Sequence, residues 1–184
     1  MPSLTPPAGD TDSAESKPAR GRQGPRRFAG LSAAELSRVI TAGVALPALF
    51  VLCSWVIESS WTDLPGRYPA HWGKGGVDRF SSPQEYINTQ AVAAAVAAVV
   101  TAGIAAGNLL GGAWSPLSRG FTSVGAGITG AIAGGFFVQL LRSRGLTTQA
   151  AIELGGGAGF LGVAAGFVAL FALTFTLLPR GKYS

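Results

Sequence analysis

The chain has 184 residues, of which 48% are hydrophobic and only 12% are charged. About a quarter of the residues in an ordinary globular domain are charged, so this balance excludes a typical soluble protein and favours an integral membrane protein. A net charge of +5 is compatible with a nucleic-acid-binding protein, but the basic residues cluster in the N-terminal tail and at the ends of apolar segments. Basic residues at those places orient a protein in a membrane. We therefore expect a lipid bilayer around the chain and no nucleic-acid partner.

The chain begins with a polar segment, residues 1–30, that is rich in Pro, Ser, Gly and Arg. Because it has few apolar side chains with which to offset the entropy of ordering, we predict a disordered, basic, cytoplasmic tail. Four windows without charged residues follow, at 39–57, 91–114, 121–141 and 154–179. Each is about long enough for a helix to cross a hydrocarbon core of ~30 Å.

Capping patterns set the starts of two helices. Ser32 and Glu35 match a capping box, and Ser82, Pro83 and Glu85 match a second one. Pro47 removes a backbone donor from the first helix and predicts a kink there. The predicted helices are about 33–57, 83–112, 121–141 and 149–178, with an external loop at 58–82. The predicted fold is thus all-α, a four-helix transmembrane bundle at 31–184 with a structured loop between its first two helices.

Charge bias predicts the orientation of this bundle. Four crossings place both tails on one side, where nine Lys or Arg residues lie, against five on the other side. Since the more basic side faces the cytoplasm, we expect a bacterial plasma-membrane protein with both termini inside and the 58–82 loop outside. The nine are Lys17, Arg20, Arg22, Arg26, Arg27, Arg38, Arg119, Arg180 and Lys182, and the five are Arg67, Lys74, Arg79, Arg142 and Arg144.

Glycines recur four residues apart in the last three predicted helices. Such spacing lets helix backbones approach closely in lipid, either within one chain or between copies in a homo-oligomer. The pattern, a glycine zipper, comprises Gly103, Gly107 and Gly111, then Gly130 and Gly134, then Gly155, Gly159, Gly162 and Gly166.

Three polar side chains interrupt the apolar spans. Asn108 and Gln139 are predicted to hydrogen-bond between helices, with a place on a transport path as the alternative. Glu153 is expected at the start of the fourth helix, where the helix dipole favours an anion. The alternative for Glu153 is an ion pair with Arg142 or Arg144, or a role in proton handling.

No catalytic residues are expected, because the chain lacks the motifs of metalloproteases, phosphate-binding loops and intramembrane carboxylate pairs. We also expect no cofactor and no metal. The loop does contain the only histidine, His71, close to Asp63, Asp78, Glu58 and Glu85. One histidine with scattered carboxylates is a weak metal-binding pattern, although His71 could sense external pH.

The loop carries the most specific motif, L-P-x-R-x-P-x-H-W followed by G-x-D-R-F. This pattern resembles that of a bacterial membrane-protein family of unknown function, whose domain forms the N-terminal part of SdpI-type immunity and signalling proteins. The resemblance covers about 46–110 and implies an extracytoplasmic loop between two membrane helices. The matching residues are Pro65, Arg67, Pro69, His71, Trp72, Gly76, Asp78 and Arg79.

The sequence leaves two functional classes open. The first is a non-enzymatic protein whose loop recognises an envelope protein or peptide, with immunity or signalling implied by the resemblance. The second is a small transporter or accessory subunit built from an oligomer of glycine-packed bundles.

Overall fold

The computed structural model describes residue 28, residues 30–112 and residues 114–181, so the predicted disordered tail lies almost wholly outside the described residues. Four helices within this part of the chain are long and apolar enough to cross a membrane. They comprise Ala33–Ser59, Pro83–Leu110, Pro116–Ser143 and Gly156–Leu177. The predicted all-α, four-helix membrane fold is therefore confirmed, and a small two-stranded sheet is added to it.

The first span consists of α1 (Ala33–Ile40), a π-helical segment (Thr41–Ala45) and α2 (Leu46–Ser59). The Ser32–Glu35 capping box is present at its start. Pro47 cannot donate a backbone hydrogen bond, and its ring crowds the carbonyl one turn earlier. The wider π turn just before Pro47 accommodates both effects, so the predicted kink takes the form of a local change in helix type.

The segment predicted only as a loop contains a β-hairpin. Strand β1 (Tyr68–Gly73) pairs antiparallel with β2 (Gly76–Ser81), with Tyr68 opposite Ser81 and Gly73 opposite Gly76. Gly76 has a φ of 111°, a conformation that side chains rarely adopt. The strands were not predicted because two prolines and four glycines lie in or beside them, and these residues usually disfavour strands.

The second and third membrane-spanning helices each begin after a capping serine. In α3 (Pro83–Leu110), the Ser82 hydroxyl accepts the Glu85 N–H at 3.1 Å. The predicted second capping box is nevertheless incomplete, since the Ser82 backbone N–H does not donate to the Glu85 carboxylate, which lies 3.8 Å from Arg79. In α4 (Pro116–Ser143), Ser115 is the cap. The helix therefore begins before the predicted position of about 121, and Arg119 lies inside its first turn.

The predicted fourth helix, 149–178, is divided in the structure. A short helix, α5 (Thr148–Leu154), is followed by Gly155 at a φ of 68°, a 3-10 turn (Gly156–Ala158) and α6 (Gly159–Leu177). Consecutive glycines have low helix propensity, and a left-handed Gly155 ends α5. Glu153 consequently precedes the apolar span.

Helix α4 occupies the centre of the bundle. Of its apolar window 56% is buried, against 17%, 22% and 22% for the other three spans. Glycines bring it against α6, since a Cβ added at Gly134 would lie 2.7 Å from the Gly162 carbonyl oxygen. Gly103 and Gly107 on α3 have nothing within 4 Å of such a Cβ. The glycine pattern therefore corresponds to close backbone contact between α4 and α6, whereas its α3 portion faces outward.

Both described ends of the chain lie at one end of the bundle. Leu31, Trp114 and Leu178 share one buried cluster, and the Trp114 indole N–H donates to the Pro179 carbonyl at 3.0 Å. The hairpin follows α2 and precedes α3, so it lies at the opposite end. This arrangement agrees with four crossings and with both tails on one side.

Candidate functional site

The hairpin begins at a buried tyrosine. Tyr68 is 0% exposed, and its ring centroid lies 4.4 Å from that of Tyr86 in α3. Its hydroxyl lies 3.1 Å from Ser143 Oγ, which itself donates to the Gln139 carbonyl. Tyr68 is therefore the donor to Ser143. Burial raises the pKa of Tyr68, so its phenol stays neutral and keeps this proton.

A second contact joins the segment before the hairpin to the turn after α4. Arg144 Nε donates to both Asp63 carboxylate oxygens, at 2.9 and 3.1 Å. The Gly145 N–H donates to the Asp63 carbonyl at 2.7 Å, and the Thr148 hydroxyl donates to the Arg67 carbonyl at 3.1 Å. The hydrogen bond from Arg144 lowers the pKa of Asp63. The base of the hairpin, formed by Asp63, Arg67 and Tyr68, is thus tied to both sides of the turn between α4 and α5.

The outer part of the hairpin presents charged side chains. His71 Nδ1 lies 2.7 Å from Asp78 Oδ1 across the two strands, and these side chains are 67% and 54% exposed. A Cβ at Gly73 would lie 2.5 Å from Asp78 Oδ2, so a glycine there leaves room for the carboxylate. Nearer the base, the Arg67 guanidinium lies over the Phe80 ring, 4.9 Å from its centroid.

The remaining predicted site residues of the loop lie in different parts of the hairpin. Pro65 and Pro69 are buried, Gly76 supplies the positive φ of the turn, and Arg79 is exposed beside Glu85. The surroundings of the Trp72 side chain lie outside what the structure describes.

The three polar residues predicted inside the membrane have different surroundings. Gln139 is buried in α4 and donates through Nε2 to the Gly155 carbonyl at 2.8 Å, while its Oε1 has no partner among the described residues. Asn108 is half-buried near the end of α3. Glu153 is exposed and accepts from Gln149 at 3.2 Å. Among the described residues it forms no ion pair with Arg142 or Arg144, and Arg144 pairs with Asp63 instead.

Metal ligands do not gather at the hairpin. Among the described residues no three His, Cys, Asp or Glu side chains are grouped as a metal ion would require. The His71–Asp78 pair alone supplies two ligands, fewer than the four of a usual zinc site. What the outer part of the hairpin offers instead is hydrogen bonding and charge.

A buried acidic residue, Glu58, lies where the sequence predicts the start of the external loop. Glu58 lies in the last turn of α2 and is only 3% exposed. It lines a small cavity with Ser54 and Gln90. The helical spacing of Ser54 and Glu58, four residues apart, was a signal that both lie on one face of a helix.

Comparison with known proteins adds no relative. No protein-family model matches the chain, and neither curated proteins nor solved structures include a similar one. The likeness of the loop motif to the SdpI-type domain therefore stays a prediction.

Proposed function

We propose that this multi-pass membrane protein is a non-enzymatic recognition protein, whose hairpin binds an extended peptide segment of an envelope protein. The single observation that carries the proposal is the contrast in attachment along the hairpin. Its base is fixed by Tyr68 and Asp63, whereas His71 and Asp78 are more than half exposed. A surface fixed before the partner arrives loses little entropy on binding.

The strand edges favour a peptide as the partner. The sheet has only two strands, and among the described residues no backbone hydrogen bond joins β2 to a third strand. An exposed strand edge can pair with an extended peptide through main-chain hydrogen bonds, while nearby side chains select the sequence. Asp78 and Arg79 on β2 supply charges of both signs for that selection.

The charge bias along the chain supports the direction in which the hairpin faces. We propose that it lies outside the bacterial plasma membrane and that both termini lie in the cytoplasm. A cysteine placed at Gly75 in a Cys53→Ser background should react with an impermeant thiol reagent on intact cells. Labelling only after the membrane is opened would reverse this orientation.

The binding proposal is tested by a photo-crosslinking amino acid placed at Lys74, at the hairpin turn, in living cells. We expect one defined protein adduct, which His71→Ala and Asp78→Ala reduce at least severalfold. The same crosslinker at Leu110, which is 79% exposed at the other end of the bundle, is the matched control. Equal adducts at both positions, or an adduct indifferent to the two substitutions, would contradict the proposal.

The alternative, a small transporter, receives less support from the interior of the bundle. The buried hydroxyls of Thr101, Thr122 and Thr129 each donate to a carbonyl one turn earlier in their own helix. Hydroxyls engaged in this way are poor ligands for a passing solute. Solute flux through purified, reconstituted protein, lost on Asn108→Ala, would reverse this preference.

A further inference from the structure

The cavity beside Glu58 lies between α2, α3 and α4, just inside the hairpin end of the bundle. Its volume is about 10 Å³, close to the ~10–15 Å³ that one water molecule needs. Three oxygen-bearing side chains line it, those of Ser54, Glu58 and Gln90. The cavity is therefore large enough for one water molecule or one small ion. Part of its lining consists of oxygen-bearing side chains, which suit a cation.

The Glu58 carboxyl has no charge partner. Among the described residues no ion pair or hydrogen bond involves this group. The titratable group of α3 that interacts electrostatically with it is Tyr86, and the Tyr68 ring of the hairpin packs on the Tyr86 ring. From α4 it is approached by Ala133 and Phe136, which carry no charge.

Two physical effects make an anion unfavourable at this position. An ion taken out of water without a partner costs several kcal/mol, and a negative charge in the last turn of a helix opposes the helix dipole. Glu58 is subject to both, since it is 3% exposed and α2 ends at Ser59. A proton on the carboxyl group removes both penalties, and a cation in the cavity offsets them by compensating the negative charge.

We infer that Glu58, Gln90 and Ser54 form a binding site for one small monovalent cation, either a proton or Na⁺. Oxygen ligands suit such hard cations. The site is separate from the exposed face of the hairpin and does not depend on the recognition function proposed above. A change in the occupancy of this site would affect the hairpin through Tyr86, whose ring packs on Tyr68.

The test uses the full-length protein in lipid nanodiscs. Infrared difference spectra measure the C=O stretch of a carboxyl group that is already protonated near neutral pH, above the pH range in which Asp63 is protonated, and follow this band during titration with NaCl; thermal unfolding is followed in NaCl and in KCl. A protonated-carboxyl band that is insensitive to Na⁺ identifies a proton site. Loss of the band on adding Na⁺, together with a midpoint temperature raised by Na⁺ and not by K⁺, identifies a sodium site.

Glu58→Gln should abolish both responses while preserving the fold, because an amide has nearly the same shape and no charge. Glu153→Gln, which changes an exposed acid on α5, is the matched control and should leave both responses intact. Gln90→Leu should retain the carboxyl band and raise the Na⁺ concentration needed for any sodium response at least tenfold. This variant keeps the inference testable if Glu58→Gln fails to fold.

Absence of both the carboxyl band and the Na⁺ response in the unmodified protein would overturn the inference. Persistence of either response in folded Glu58→Gln would also overturn it. Neither result bears on crosslinking at the hairpin turn, so the two proposals can fail separately.

Discussion

The base and the outer part of the hairpin differ sharply although they share the same strands. Tyr68 is 0% exposed, whereas the side chain of His71, three residues later in β1, is 67% exposed. Apolar burial and a hydrogen bond to α4 fix the base, while the side chains of the outer part make exposed charged contacts, His71 with Asp78 and Arg79 with Glu85. The difference indicates that the contacts that fix the position of the hairpin are separate from the exposed side chains that we propose for recognition, so we expect that each set can be changed without the other.

The largest effect is expected from Tyr68→Ala. Removing a buried aromatic side chain costs about 3–5 kcal/mol, and here the loss falls on the attachment of the hairpin to α3 and α4. We expect faster hydrogen exchange along β1 and β2 and a loss of the Lys74 adduct, with the four spans retained. His71→Ala is the matched control and should leave exchange at the base unchanged. Unaltered exchange in Tyr68→Ala would show that the base does not hold the hairpin.

A smaller effect is expected from Tyr68→Phe, which keeps the ring and removes the hydrogen bond to Ser143. A neutral hydrogen bond contributes about 0.5–1.5 kcal/mol, and Ser143 retains its bond to the Gln139 carbonyl. The free energy of unfolding of Tyr68→Phe, Ser143→Ala and the double variant should give a coupling energy of that size. Additive single effects would mean that the 3.1 Å contact contributes no stability.

Much of this fold could be predicted because apolar length and capping are local signals. Charge-free windows located all four spans, and the Ser32 and Ser82 caps set two helix starts. The glycines Gly130, Gly134, Gly162 and Gly166 predicted close packing, which α4 and α6 display. The outward position of Gly103 could not be foreseen, since spacing alone does not say which face of a helix meets a neighbour.

The β-hairpin and the burial of Glu58 depend on tertiary contacts and could not be predicted from local sequence. The strands of the hairpin form around Tyr68, whose partners Tyr86 and Ser143 lie far along the chain, so local propensity could not reveal them. Glu58 was assigned to the loop because it is the first charged residue after an apolar run. Its burial depends on α3 and α4 covering that last turn of α2.

Acid should weaken the base of the hairpin through Asp63. Because the Arg144 hydrogen bond lowers the pKa of Asp63 below its ordinary value of 3.8, its contribution to stability is complete well above pH 3.8 and is lost as the pH falls through the folded pKa. The Gly145 amide, which donates to the Asp63 carbonyl, should therefore lose protection from hydrogen exchange below about pH 4. Asp63→Asn should show no such pH dependence, and an identical profile in this variant would assign the transition to another group.

The smallest effect on stability, and the clearest separation of base from outer part, is expected from His71→Ala and Asp78→Ala. Exposed ion pairs contribute about 0–1 kcal/mol, so the free energy of unfolding and the exchange at Tyr68 should barely change. The Lys74 adduct should nevertheless fall severalfold, because these side chains face the proposed partner. Thr62→Ala, at an exposed position outside the strands, serves as the control for a neutral surface change. If His71→Ala instead increased hydrogen exchange at the base as much as Tyr68→Ala does, the hairpin would unfold as one cooperative unit. Its outer residues would then contribute to folding and not to recognition.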